Sequence, residues 1–113
     1  MSEINPFGGH IVHLTPAQVR QGMANATILL VDVREPNETG AERIPDAVEV
    51  PLSSFDPRAL PDPAGKRLVF SCRSGQRSQK AAALAQAAGL PYVEHMQGGI
   101  LAWKDAGFPI QRN

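Results

Sequence analysis

The sequence of 113 residues predicts an α/β fold, in which a small parallel sheet carries helices on both of its faces. Two apolar runs, residues 28–33 and 67–71, have the composition of strands that are buried on both sides, as strands of parallel sheets are. Segments of helical composition alternate with the predicted strands along the chain. Such alternation predicts parallel strands that are joined by right-handed crossovers.

The first third of the chain begins with residues 1–9, which we interpret as a flexible N-terminal arm before a single domain over residues 10–113. Thr15 and Pro16 then supply an N-cap and a proline for the first turn of a helix, which we expect over residues 16–23. The first of the two buried strands follows this helix.

The middle of the chain is rich in proline and is expected to hold little regular structure. A short helix or turn is predicted over residues 35–41, and residues 48–50 have room for only a brief strand. Residues 51–65 contain four prolines, so we expect a connector with at most one helical turn, at residues 53–55.

The last third of the chain returns to alternating helix and strand. Residues 78–88 are rich in alanine and strongly helix-forming, and Gly89 and Pro91 end that helix. Residues 92–95 are predicted as a third core strand, and residues 100–105 as a last helix. Because alanine has a small side chain, the alanine-rich helix should lie close to the sheet.

The charge balance of the chain argues against several classes of partner. Eleven basic residues offset eleven acidic ones, so we expect neither nucleic acid nor a membrane surface to be bound. The N-terminal residues show no basic region followed by an apolar stretch, and no window is apolar enough to span a bilayer. A lone cysteine suits a reducing compartment. These observations together predict a cytoplasmic protein.

The one cysteine of the chain, Cys72, follows a predicted buried strand and precedes a predicted helix. In open parallel sheets, ligands bind beyond the carboxyl ends of the strands, where loops enter helices. A tight loop there can point several backbone N–H groups inward, and Gly75 allows the positive φ that such a loop often needs. Arg73 and Arg77 add positive charge, which predicts a small anionic substrate.

The surroundings predicted for Cys72 favour its ionised form. Cysteines at helix N-termini or beside cations lose their proton at roughly pH 3.5–7.5 instead of about 8.5. The plain alternative for an isolated cysteine is a buried apolar side chain. In this loop we favour the reactive thiolate, which should be nucleophilic at neutral pH.

Four stretches of sequence, taken in order, resemble the rhodanese family of single-domain sulfurtransferases. They lie at residues 30–35, 44–52, 72–78 and 97–109, and the resemblance extends over residues 10–110. Each stretch alone is a weak signal, but the four in order are specific. The resemblance implies a rhodanese-like α/β domain in which Cys72 becomes a persulfide during turnover, with no separate cofactor.

The resemblance also implies a role for each residue of the loop. Cys72 would attack the outer sulfur of thiosulfate or a similar sulfane donor, and a thiol, cyanide or a protein cysteine would then accept the sulfur. Backbone N–H groups of the loop would stabilise the persulfide, while Arg73 and Arg77 attract the anionic donor. The expected substrate-binding residues are Arg73, Ser74, Gly75, Gln76, Arg77 and Ser78.

Asp32 and Arg34 end the first buried strand and are candidates for supporting the cysteine loop. We favour a structural role for both residues, in which Asp32 caps a neighbouring loop and Arg34 pairs with a carboxylate such as Glu35 or Glu38. Trp103 and the Gly98-Gly99 pair are also assigned structural roles, in helix packing and in a tight turn.

The sequence departs from the family pattern at Arg43 and Asp46, where the family commonly has His and Gly. We expect these residues to form a charge pair that affects partner recognition rather than chemistry. The histidines predict no metal site, because His10 and His13 would point to opposite faces of a strand and, with His95, match no zinc spacing. No general base beside Cys72 is evident in the sequence.

Two other functions remain open at this point. A cysteine and an arginine at a helix start also occur in cysteine phosphatases and arsenate reductases, but those enzymes place five residues between them and this chain has four. The smaller ring of N–H groups suits one sulfur atom better than a phosphate. Alternatively, the domain presents Cys72 to a partner protein as a persulfide carrier or redox-sensing module.

Overall fold

The computed structural model describes residues 2–113 and confirms the predicted fold class. The strands are β1 (Glu3–Ile4), β2 (His10–Leu14), β3 (Ile28–Asp32), β4 (Glu42–Arg43), β5 (Val48–Glu49), β6 (Arg67–Ser71), β7 (Glu94–Met96) and β8 (Gln111–Arg112). The helices are α1 (Pro16–Ala24), α2 (Pro36–Thr39), α3 (Arg77–Ala87) and α4 (Gly99–Asp105). No helix within residues 2–113 is long and apolar enough to cross a membrane.

The main sheet has the strand order β1-β2-β7-β6-β3-β5. All neighbours from β2 to β5 run parallel, and only β1 is antiparallel to its neighbour. Asp32 of β3 pairs with Ser71 of β6, so both strands end at the same edge of the sheet. Cys72 follows directly at this edge, which is where the sequence predicted the functional loop.

Two apolar clusters cover the two faces of the sheet, because neighbouring residues of a strand point to opposite sides. Val69 of β6 joins the cluster that contains Val19 of α1 and Trp103 of α4. Phe70, the next residue, joins the opposite cluster with Ala82 of α3. The alanine-rich helix α3 therefore packs on this second face. Four of its five alanines are buried, and the fifth, Ala87, is exposed.

Part of the predicted arm, residues 3–4, forms a strand, while Met1 lies outside the described residues. Glu3–Ile4 pairs with β2 in an antiparallel hairpin, which extends the main sheet. Asn5 is buried, and its amide Nδ2 donates to the carbonyl of Gln79 at 2.7 Å. The pairing was missed because a two-residue strand carries no pattern of its own.

Some elements begin or end a few residues away from their predicted bounds, and others were not predicted. The connector holds two 3-10 turns, Leu52–Ser54 and Pro57–Ala59, where at most one was expected. The third core strand begins at Glu94, two residues later than predicted, since it pairs only where β2 and β6 lie beside it. The antiparallel pair of β4 and β8 was not predicted, because it joins distant short segments.

Candidate active site

The cysteine loop, residues 72–78, is a tight curl between β6 and α3. Gly75 has the positive φ that was predicted, at 101°, and a side chain there would meet the backbone nitrogen of Gly98 at 3.1 Å. Gly99 also has a positive φ, at 59°, and lies against the backbone of Cys72 and Arg73. The Gly98-Gly99 turn therefore holds the cysteine loop in place, in addition to starting α4.

The N-terminus of α4 also holds the loop through its amides. The N–H of Ile100 donates to the carbonyl of Cys72 at 2.9 Å, and that of Leu101 donates to the carbonyl of Arg73 at 3.1 Å. The N-terminus of α4 therefore fixes the backbone of the cysteine loop at its first two residues.

The sulfur of Cys72 lies inside the loop, and the residue is only 1% exposed. Its Sγ accepts a hydrogen bond from the N–H of Gly75 at 3.1 Å and lies 3.5 Å from Oγ of Ser78. The rest of the side chain packs in the apolar cluster on the α3 face. The structure thus gives the sulfur polar neighbours, although it covers the thiol more completely than the sequence suggested.

A line of polar side chains leads from Ser78 to the protein surface. Oγ of Ser78 lies 2.8 Å from Nδ1 of His95, and Nε2 of His95 lies 2.6 Å from Nδ1 of His13. Nε2 of His13 lies 2.8 Å from a carboxylate oxygen of Glu3. We call Ser78, His95, His13 and Glu3 the histidine network.

The histidine network was not predicted from the sequence, in which no base beside Cys72 was evident. The signal that could have revealed the network is the pairing of β2 with β7, which places His13 directly opposite His95. Burial is the main cause that lowers the pKa of His95 to about 4, and the nearby His13 adds to it. His95 is therefore neutral at physiological pH.

The outer surface of the loop carries the two arginines, which differ in their contacts. Arg73 is exposed, and no ion pair forms at its guanidinium within residues 2–113. Arg77 instead pairs with the carboxylate of Glu38 through both terminal nitrogens, at 2.5 and 2.9 Å. Attraction of the donor by both arginines stays a prediction, and the charge of Arg77 is shared with Glu38.

The pair of Arg77 and Glu38 changes the ionisation of both residues. The hydrogen bond from Arg77 is the largest cause that lowers the pKa of Glu38 to about 2. The same bond raises the pKa of Arg77, and the nearby Cys72 contributes to that rise. Arg77 is therefore close enough to affect the sulfur electrostatically, while much of its charge is balanced by Glu38.

A cleft of about 510 Å³ opens beside the loop, and Arg73 forms part of its wall. Its other charged lining residues are Arg34, Glu38, Glu42, Lys104 and Arg112. Four cations and two carboxylates give this cleft an excess of positive charge. The cleft can therefore attract a small anion next to the cysteine loop.

Asp32 and Arg34 form a buried ion pair with each other, and the Asp32 carboxylate also accepts the backbone N–H of Arg34 at 2.9 Å. Nη2 of Arg34 lies 2.8 Å from the Asp32 carboxylate and donates to the carbonyl of Glu42 at 2.9 Å. Arg34 therefore pairs with a carboxylate, as predicted, but the partner is Asp32 rather than Glu35 or Glu38. Neither side chain hydrogen-bonds the cysteine loop, so a supporting role there stays a prediction.

Arg43 and Asp46 do not form the charge pair that was expected. Arg43 pairs with Glu49 at 3.1 Å. Asp46 has a left-handed φ of 68°, a conformation that glycine adopts more easily. Within residues 2–113, no group of three or more His, Cys, Asp or Glu side chains could hold a metal ion.

Comparison with known proteins identifies the family. The model of the rhodanese-like domain matches residues 15–106, so the chain belongs to the rhodanese-like family. A solved rhodanese-related protein from Thermoplasma volcanium superposes with a TM-score of 0.74 and 26% identity, and the match covers 88% of this chain and 96% of that one. The predicted rhodanese-like fold is thereby confirmed.

Two relatives show what the chain is similar to. The uncharacterized protein slr1261 of Synechocystis sp. is 42% identical over 98 residues, which cover 87% of this chain and 55% of that protein. A protein of Allochromatium vinosum that is named sulfurtransferase is 40% identical over 83 residues, covering 74% of this chain and 78% of its own length. The chain therefore spans only about half of the first relative.

Proposed function

We propose that this protein is a sulfurtransferase that moves a sulfane sulfur from thiosulfate, or a similar donor, to a thiophilic acceptor through a persulfide on Cys72. The observation that carries the proposal is the position of the Cys72 sulfur, which accepts the N–H of Gly75 inside a loop whose outer surface is cationic. The name of the Allochromatium vinosum relative supports the same class of reaction.

The first step of the proposed reaction is attack by the Cys72 thiolate on the outer sulfur of thiosulfate. The sulfur–sulfur bond of the donor breaks, and its electron pair leaves with sulfite. The outer sulfur is then bonded to Cys72 as a persulfide with one negative charge. The N–H of Gly75 stabilises this charge from inside the loop, in the way that oxyanion holes stabilise developing charge.

The second step returns the enzyme to its starting state. A thiol, cyanide or a protein cysteine attacks the terminal sulfur of the persulfide, takes that sulfur, and leaves Cys72 as a thiolate. Arg73 and the other cations of the cleft attract the anionic donor and help sulfite to leave. No cofactor takes part in either step.

Access to the sulfur requires that the loop opens, because Cys72 is only 1% exposed. The side chains of Arg73, Ser74 and Gln76 are exposed and can move without disturbing the core. We propose that the donor first binds at the cationic outer surface and then reaches the sulfur as the loop opens.

Intact-mass measurement after treatment with thiosulfate tests the proposal. The protein should gain the mass of one sulfur atom, and cyanide should then remove it. The variant Cys72→Ser is the control and should gain nothing. Absence of the added sulfur from the wild-type protein would refute transfer from thiosulfate.

Two further measurements separate the two other functions. A persulfide that forms slowly from small donors, but exchanges rapidly with one protein partner, would identify a carrier or redox-sensing module instead. Hydrolysis of a generic aryl phosphate that is lost in Cys72→Ser would identify a phosphatase. We expect no such hydrolysis, because the loop between Cys72 and Arg77 is one residue shorter than in cysteine phosphatases.

A further inference from the structure

The histidine network joins the covered sulfur to the protein surface without a break. Ser78 and His95 are buried, the side chain of His13 is 27% exposed, and that of Glu3 is 66% exposed. Exposure therefore increases along the network from the sulfur outwards. A thiol that is closed off from water has no direct way to lose its proton, so this connection matters for any reaction at Cys72.

When both imidazoles are neutral, the carboxylate at the outer end fixes the direction of every hydrogen bond in the network. The ionised carboxylate of Glu3 can only accept, so Nε2 of His13 must donate to it. A neutral His13 then accepts at Nδ1, which requires His95 to donate from Nε2. His95 in turn accepts at Nδ1 from the hydroxyl of Ser78.

This orientation leaves the oxygen of Ser78 as the acceptor that faces the Cys72 thiol, 3.5 Å away. All donors consequently point from the sulfur towards Glu3, which is the arrangement that a proton needs to leave the thiol. We propose, as an extension of the sulfurtransferase function, that the histidine network is a proton path that carries the Cys72 proton to His13 at the surface.

The proton transfer balances over three steps. The Cys72 proton passes to Oγ of Ser78, whose own proton passes to Nδ1 of His95. The Nε2 proton of His95 passes to Nδ1 of His13. The products are one thiolate and one imidazolium, and the imidazolium lies between His95 and the carboxylate of Glu3.

The transfer also reverses the three hydrogen bonds between Cys72 and His13, and the reversed bonds stabilise the thiolate. The hydroxyl of Ser78 now donates to the sulfur, so the thiolate has two donors, this hydroxyl and the N–H of Gly75. The charged groups that face the path are Glu3 from β1 and Arg77 from α3. The low pKa of His95, about 4, agrees with a residue that passes a proton on without keeping it.

The alkylation rate of Cys72 by iodoacetamide, a small neutral reagent, tests the proton path. The informative quantity is the ratio of the rates at about pH 7 and about pH 10. At the higher pH, hydroxide in the solvent can take the proton of a cysteine thiol whenever the loop opens to admit the reagent, so the path is no longer needed. Any effect of a substitution on opening of the loop cancels in this ratio. In His13→Gln, which keeps a polar side chain but cannot carry the proton, the ratio should fall about tenfold.

The matched control is His10→Gln, since His10 lies on the same strand and outside the network. Its ratio should stay within about twofold of wild type. Glu3→Gln, at an exposed position, tests the path even if His13→Gln does not fold, and should lower the ratio about threefold. Equal ratios in wild type, Glu3→Gln and His13→Gln would overturn the proposal.

The alkylation test of the proton path is independent of the test of sulfur transfer, because alkylation needs no sulfur donor. An unchanged ratio together with persulfide formation would reject the proton path alone. A lowered ratio without any persulfide would reject sulfur transfer and keep the path.

Discussion

The inner and outer sides of the cysteine loop differ in their burial and in the charge of their side chains. The inner side, formed by Cys72, Gly75 and Ser78, is buried and meets the neutral His95. The outer side is exposed or half-buried and carries both cations of the loop; its residues are Arg73, Ser74, Gln76 and Arg77. One side supplies hydrogen bonds to the sulfur, and the other supplies charge to the approaching donor.

The difference follows from the cost of burying charge. A buried cation without a partner is strongly unfavourable, whereas a neutral hydrogen bond keeps its strength in a low-dielectric interior. The loop can therefore place guanidinium groups only near solvent, and must act on the sulfur through an N–H and a hydroxyl. Reactivity and donor attraction thus depend on different residues, which substitutions can separate.

The largest effect is expected from the inner side, at the sulfur itself. Cys72→Ser should reduce sulfur transfer to the uncatalysed rate, because a serine hydroxyl is not ionised at neutral pH and forms no persulfide. Transfer to cyanide from thiosulfate measures this loss, and circular dichroism checks that the fold is kept. Transfer that persists in the variant would show that another group carries the sulfur.

The second largest effect on the transfer rate is expected at one of the two serines of the loop. Ser78→Ala removes the hydroxyl beside the sulfur and should lower the transfer rate about ten- to hundredfold, as loss of one stabilising donor does in other active sites. Ser74→Ala, on the exposed outer side, should leave the rate within about twofold. Steady-state kinetics of both variants measures the two rates. Equal losses would contradict the proposed difference between the inner and outer sides of the loop.

The third effect concerns the outer side and depends on the charge of the donor. Arg77→Ala should raise KM for thiosulfate about tenfold, because it also leaves the Glu38 carboxylate without its cation. Arg73→Ala should raise KM about threefold. Neither should change KM for a neutral sulfane donor by much. Similar losses with both donor types would mean that the arginines act on loop structure instead.

The smallest effect concerns the stability of the outer side. The pKa of Glu38 is lowered from 4.5 to about 2, so the ionised carboxylate stabilises the fold above pH 4.5, and this contribution is lost as the pH falls towards 2. Wild type should therefore exceed Glu38→Gln by about 1 kcal/mol or less in the free energy of unfolding at neutral pH. Urea unfolding at several pH values measures whether this gap closes under acid conditions.

The sequence determined the local elements and the reactive loop. Apolar runs marked β3 and β6, and Thr15 with Pro16 marked the start of α1, because strand burial and helix capping depend on neighbouring residues. Gly75 was likewise predicted to have a positive φ from its place in a tight loop. The position of Cys72 at the edge of the sheet followed from the order of elements alone.

The tertiary structure alone decided which distant side chains meet. His13 and His95 are 82 residues apart, and Arg77 and Glu38 are 39 apart. Their contacts depend on strand register and on how α2 and α3 pack, which are set by the sum of many weak interactions over the whole domain. The reactive cysteine could therefore be predicted from the sequence, while the side chains that contact its loop could be identified only from the folded structure.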